Sequence, residues 1–157
     1  MKLLIIGGSD AGISAALRAR ELDRSAEITV LLADDFPNYS ICGLPFFLSG
    51  ETPDWHSLAH RTEFEGIDIR RGHRATRINS ASKTVDVETE RTGLLSLPYD
   101  KLVIGTGAGP LEPPIEGWRA PGVFVLHTMA DSFAVHQYLE TSKPKRAVIL
   151  GAGYIGH

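Results

Sequence analysis

The sequence predicts an α/β fold, and three observations carry that prediction. Short apolar runs at residues 2–6, 102–104 and 147–150 each lead directly into a glycine-rich loop. The first loop is followed by helical periodicity and then by a second apolar run, a unit of the size of a βαβ crossover. Between the outer loops, residues 67–78 and 83–89 alternate apolar and polar side chains with period two, the pattern of half-buried antiparallel strands.

Lys2 to Ile6 reads as a buried strand, and Gly7-Gly8-Ser9-Asp10-Ala11-Gly12 as a small-residue turn. Residues 11–22 place Ile13, Ala16 and Leu17 on one helical face. Residues 27–33 contain Ile28-Thr29-Val30-Leu31-Leu32, a second buried strand. A loop broken by Pro37 leads to Cys42, and Pro45 suits the first turn of a short helix ending at Ser49-Gly50. Residues 67–78, 83–89 and 94–97 read as an antiparallel meander, with Asn79-Ser80-Ala81-Ser82 as one turn. Leu102-Val103-Ile104 returns as a buried strand before Gly105-Thr106-Gly107-Ala108-Gly109. Pro110, Pro113, Pro114 and Gly117 mark a linker over 110–122. Residues 123–126 read as a strand, and Thr128 or Asp131 as the cap of a helix reaching about residue 140. Residues 147–150 read as a final strand.

Composition narrows the class. The chain has 157 residues, 43% hydrophobic and 22% charged, with 16 Lys+Arg against 19 Asp+Glu for a formal charge of −3. Such values exclude a disordered or collagen-like chain and a basic nucleic-acid-binding arm. No apolar run approaches the ~18 residues that span a bilayer. The N-terminal apolar stretch is too short for a signal-peptide core. A single cysteine, Cys42, leaves no internal disulfide. The expected location is the cytoplasm, where thiols stay reduced. Asn38-Tyr39-Ser40 matches a glycosylation acceptor, which has no meaning without secretion.

The glycine loops carry the chemistry. Gly151-Ala152-Gly153-Tyr154-Ile155-Gly156 is a complete G-x-G-x-x-G after an apolar run. In that pattern the first glycine makes the turn, the second admits a pyrophosphate and the third lets helix pack on strand. The first loop keeps Gly7 and Gly12 but carries Ser9 at the middle position. Two such loops point to two dinucleotides, with ordinary turns as the alternative. Asp34 and Asp35 are candidates for binding a ribose hydroxyl after the second strand, or are a solvated turn pair. Cys42 is either a small buried hydrophobe or a thiolate favoured by a helix start and able to attack a disulfide, persulfide or peroxide. His56 and His60 have helical metal-ligand spacing but no third ligand, so no metal site is expected. Arg70, Arg71, Arg74 and Arg77 would form a solvated strand face or meet a phosphate-rich substrate.

The residues Gly7 to Ala16, Cys42-Gly43-Leu44-Pro45, Gly105-Thr106-Gly107 and Gly151 to Gly156, in that order, resemble the N-terminal portion of the FAD-dependent pyridine nucleotide-disulfide oxidoreductases. Within that family they look like the single-cysteine branch of CoA-disulfide and CoA-persulfide reductases, NADH oxidases and NADH peroxidases. The resemblance implies a Rossmann-like FAD-binding domain, incomplete here, over residues 1–109, a linker over 110–122, and the truncated start of an NAD(P)H-binding domain over 123–157. It implies FAD and NAD(P)H as cofactors, and electrons passing from NAD(P)H through flavin and cysteine to a small disulfide or persulfide. By the same resemblance, Gly7, Gly8, Ser9, Asp10, Ala11 and Gly12 meet the FAD pyrophosphate. Ala75 meets the adenine and Thr106-Gly107 close the FAD site. Cys42 is the redox cysteine, Ser40 lies near the thiol or its substrate, and Gly151, Gly153 and Gly156 begin the NAD(P)H site.

Five positions depart from the family, among them Gly105 and Gly109, which stand where residues around the Thr-Gly are usually larger. The family's ribose-binding acid falls near Leu32, for which Asp34 would substitute. Ile41 stands where the branch often has Asn. Asp10 stands where the peroxidases have His, which disfavours the alternative of an oxidase or peroxidase cycling through a sulfenic acid. A non-catalytic nucleotide-binding fragment is the other alternative. The family further implies a small-molecule substrate, a homodimer, and no nucleic-acid or membrane partner. It also implies that later segments of the longer chain complete the FAD domain.

Overall fold

The computed structural model describes residues 1–89 and 93–151. The chain divides into two compact units, one formed by Met1–Tyr39 with Ala59–Ala108 and the other by Ser40–Leu58 with Gly109–His157.

The first unit is an α/β structure. Strand β1 (Lys2–Ile6) leads through the glycine loop into helix α1 (Asp10–Leu22) and then strand β2 (Glu27–Leu31). Further along the chain come β3 (Ile67–Arg70), β4 (His73–Asn79), β5 (Thr84–Thr89), β6 (Gly93–Pro98) and β7 (Lys101–Ile104). The parallel strands form a four-stranded sheet in the order β3-β2-β1-β7. β4, β5 and β6 form a separate antiparallel sheet. β1 sits at the centre of the parallel sheet, which explains its unbroken apolar sequence: both of its faces are covered. Leu3 and Ile5 join Ile13 and Ala16 of α1, with Ile28, Val30 and Leu32, in one core. Leu4 and Ile6 turn to the other face and pack with Leu31, Val85 and Val87. Burying side chains of this size contributes about 1.5–3 kcal/mol each.

The structure revises one expectation for this unit. Residues 67–70 belong to the parallel sheet, paired with β2 in the register Ile28↔Ile67 to Leu31↔Arg70. Only β4 onward forms the meander. The break falls at Gly72, whose φ of +63° lets the chain turn. Arg70-Arg71-Gly72 interrupts the alternation, but that break alone does not say which sheet Ile67 and Ile69 join. Within the meander, register shifts between Ala75 and Arg77, and the extra residue Thr76 bends the edge strand β4.

The second unit begins with a 3₁₀ turn at Ile41–Gly43, continues into helix α2 (Leu44–Ser49), and contains a 3₁₀ turn at Trp55–Leu58 and helix α3 (Met129–Ser142). Gly50 ends α2 in the left-handed region, at φ +82°. Both residues proposed as the cap of α3 act together. Thr128 Oγ1 accepts from the Asp131 N–H at 3.1 Å, and Asp131 Oδ2 accepts from the Thr128 N–H at 2.7 Å. This is the reciprocal capping box. Phe47 of α2 stacks on His136 at 5.0 Å and meets Phe133 edge-on at 6.1 Å. Trp55 meets Phe133 edge-on at 5.3 Å.

Residues 123–126 and 147–150 do not form the expected strands. An apolar run becomes a strand only when a partner satisfies its backbone groups, and among the described residues neither segment pairs with another strand. Val148, Ile149 and Leu150 are accordingly exposed.

Candidate functional site

The first glycine loop is built by close approach of backbone to backbone. The Gly7 N–H donates to the Leu31 carbonyl at 2.9 Å, and the Gly105 N–H donates to the Ile6 carbonyl at 2.7 Å. These bonds bring the ends of β1, β2 and β7 together beneath the loop. Gly7 has φ +109°, and a Cβ there would fall on the Gly105 carbonyl oxygen. A Cβ on Gly12 would fall on the Gly7 carbonyl oxygen. A Cβ on Gly8 would enter the Leu32 side chain. Gly7 and Gly12 thus face backbone that cannot move aside, and Gly8 faces the buried Leu32 side chain.

This cradle leads straight into α1. Ser9 is the N-cap residue, and its side chain makes no capping bond. The first N–H groups of a helix have no intrahelical acceptor, and with the helix dipole they favour an anion. A loop with no side chain at Gly7 or Gly8, ahead of such a helix start, fits a pyrophosphate group.

Asp10 opens the helix, and its Oδ1 accepts from Asn38 Nδ2 at 2.9 Å. Asn38 is a residue that sequence reasoning missed. It is 7% exposed and has φ +57°. Its N–H donates to the Gly8 carbonyl at 2.8 Å and its carbonyl accepts from the His60 N–H at 2.9 Å. The available signal was its place after Pro37, because asparagine tolerates the left-handed region far better than most residues.

The other candidates of this unit lie as follows. Leu32 is buried in the core, 4% exposed, against Gly8. Asp34 stands exposed beyond β2. Its Oδ1 accepts from the Phe36 N–H at 3.0 Å and its carbonyl accepts from the Gly72 N–H at 3.2 Å, which holds it in a turn. Ala75 lies in edge strand β4, half-buried beside the bulge. Thr106 and Gly107 follow β7, with Gly107 at φ +68°.

Cys42 and Ser40 belong to the second unit. Cys42 is exposed, within the 3₁₀ turn that precedes α2. That turn is fastened by backbone bonds: the Ser40 N–H donates to the Leu58 carbonyl at 2.8 Å, and the Gly43 N–H donates to the Ser40 carbonyl at 3.1 Å. Nearby, His56 Nδ1 lies 2.7 Å from Asp54 Oδ1, and this bond holds the Asp54 carboxyl below its ordinary range. Gly151, at φ +112°, is the last described residue, so Gly153 and Gly156 lie outside the described residues.

The family model of the pyridine nucleotide-disulphide oxidoreductases matches residues 1–157, the whole chain. The chain belongs to that family. This pyridine nucleotide-disulphide oxidoreductase chain is 33% identical, over 99% of its length, to the NAD(P)H coenzyme A polysulfide/persulfide reductase of Pyrococcus horikoshii, and covers 35% of that protein. The reduced CoADR-RHD crystal structure from Bacillus anthracis superposes with a TM-score of 0.94 at 29% identity, covering 99% of this chain and 29% of that one. The structure of an NAD-dependent persulfide reductase from A. fulgidus gives a TM-score of 0.92 at 36% identity, again over 99% of this chain and 30% of that one. The chain spans about a third of the length of the curated relatives it matches.

Proposed function

We propose that the protein to which this chain belongs is a flavoprotein that uses NAD(P)H to reduce a small disulfide or persulfide through Cys42. The observation that carries the reading is the glycine cradle at Gly7 and Gly12, where a Cβ would strike backbone, with Gly105 packed close against both. Gly7, Gly8, Ser9, Asp10, Ala11 and Gly12 would hold the FAD pyrophosphate, with Thr106 and Gly107 closing the site, Ala75 at the adenine and Asp34 at a ribose hydroxyl. Residues 1–109 would be the first segment of the FAD domain, 110–122 a linker, and 123–157 the start of an NAD(P)H domain opening with Gly151, Gly153 and Gly156. FAD, when bound, supplies a two-electron relay from NAD(P)H.

Cys42 supplies the nucleophile. Its thiolate attacks one sulfur of the substrate, forming a mixed disulfide and expelling the other sulfur as a thiolate. Two electrons and a proton then cleave the mixed disulfide, return the Cys42 thiolate and release the second thiol. The sum is one disulfide, one NAD(P)H and one proton giving two thiols and NAD(P)⁺. An exposed cysteine in a 3₁₀ turn offers the access that this in-line attack needs. Ser40, two residues earlier, would contact the substrate. The exposed thiol suits a reducing cytoplasm, and a homodimer is the assembly proposed.

Cys42→Ser tests the reading. Disulfide-dependent NAD(P)H consumption should fall to background while stoichiometric reduction of the flavin by NAD(P)H persists. Unchanged disulfide turnover would make Cys42 structural and overturn it.

A further inference from the structure

Asp10 poses an electrostatic problem for the cradle. A carboxylate in the first turn of a helix is attracted by that helix's own dipole and by its unpaired N–H groups. Those are the groups a pyrophosphate needs. Left to itself, Asp10 would compete for the anion position and repel the anion as well. The structure gives the carboxylate a different partner, Asn38 Nδ2 at 2.9 Å.

Asn38 is itself fixed from three sides. Its N–H is bonded to the Gly8 carbonyl at 2.8 Å, its carbonyl to the His60 N–H at 2.9 Å, and its backbone lies in the left-handed region at φ +57°. It is buried although polar. The amide is thus presented from a rigid post that grips the loop at Gly8 and the helix start at Asp10.

We infer that Asn38 is a positioning residue of the dinucleotide cradle, which holds the Asp10 carboxylate off the helix N-terminus so that the first-turn N–H groups stay open to the cofactor's phosphates. This rests on reading the Gly7–Gly12 loop as the FAD pyrophosphate site.

Asn38→Gly isolates the effect. Glycine adopts φ +57° without strain and keeps both backbone bonds, so the amide tether is lost with only the packing of this one buried side chain. A hydrogen bond to a charged group is strong enough for its loss to shift binding by about tenfold. FAD affinity is read by titration, following quenching of flavin fluorescence, alongside the melting temperature of each variant without FAD. Asn38→Gly should raise the FAD Kd about tenfold. Asn38→Asp, which sets two carboxylates against each other, should raise it further. The exchange Asn38→Asp with Asp10→Asn rebuilds the bond with its direction reversed and should return the Kd to within about threefold of the parent. A parent that binds FAD while Asn38→Gly binds within twofold of it overturns the inference and leaves the FAD reading standing. So does a lowered melting temperature with unchanged Kd, because a merely structural role moves only the first. A parent that ignores FAD overturns the cofactor reading and the inference with it.

Discussion

Glycine is usually a cost inside a helix, about 1 kcal/mol relative to alanine. Gly12 lies in the first turn of α1 and reverses that sign. A Cβ there would land on the Gly7 carbonyl oxygen, a backbone atom that cannot move without taking the loop and the end of β1 with it. Gly12→Ala should destabilise the protein by about 1–3 kcal/mol, the usual cost of overpacking, and abolish FAD binding. Gly109→Ala provides the contrast. Gly109 sits in an equally glycine-rich loop, but a Cβ there meets nothing within 4 Å. Its stability should stay within about 0.5 kcal/mol of the parent. Urea denaturation of the two variants separates them, and equal destabilisation would count against the close approach. The sequence motif marks both loops alike. What distinguishes their glycines is whether a second strand end, here Gly105 beside Gly7, comes close beneath. The same limit hid Asn38, whose sequence neighbours suggest only a turn, while its bonds reach to Gly8, Asp10 and His60.

At the scale of elements, local signals were legible wherever the cause was local. The start of α3 is an example. Thr128 and Asp131 read as alternative caps, and the structure uses both, three residues apart, as the reciprocal box. Thr128→Ala should cost about 1 kcal/mol, and Asp131→Ala should cost a comparable amount. The double variant should cost less than the sum, because each side chain orients the other. Chemical denaturation of the three variants checks this, and strict additivity would show two independent caps. Strands behave differently, because their cause is a partner. β1, β2 and β7 are found where their apolar runs predict, since each has a neighbour to pair with. Residues 123–126 and 147–150 carry runs of similar quality and form none. Residues 67–70 show the same dependence: the choice between parallel sheet and meander was made by pairing with β2, which no local alternation encodes.

At the scale of the molecule, the family was legible because four motifs occur in one order, and the fold of the first unit follows from two of them, the loops after β1 and β7. The pairing of their strand ends makes the cradle part of the core, since Gly7 is bonded to Leu31 and Gly105 to Ile6. A ligand held there must therefore report on the stability of the whole first unit. Any ligand that binds only the folded state stabilises it by RT ln(1 + [L]/Kd), about 2.7 kcal/mol at a hundredfold excess over Kd. Saturating FAD should raise the melting temperature of the parent protein, with the shift growing as the logarithm of FAD concentration. FMN, which lacks the pyrophosphate and adenine, should give little or no shift at equal concentration. Gly12→Ala should show no shift with either. An equal response to FMN would mean that the half of FAD shared with FMN suffices, and that the glycine cradle gains nothing from the second phosphate or the adenine.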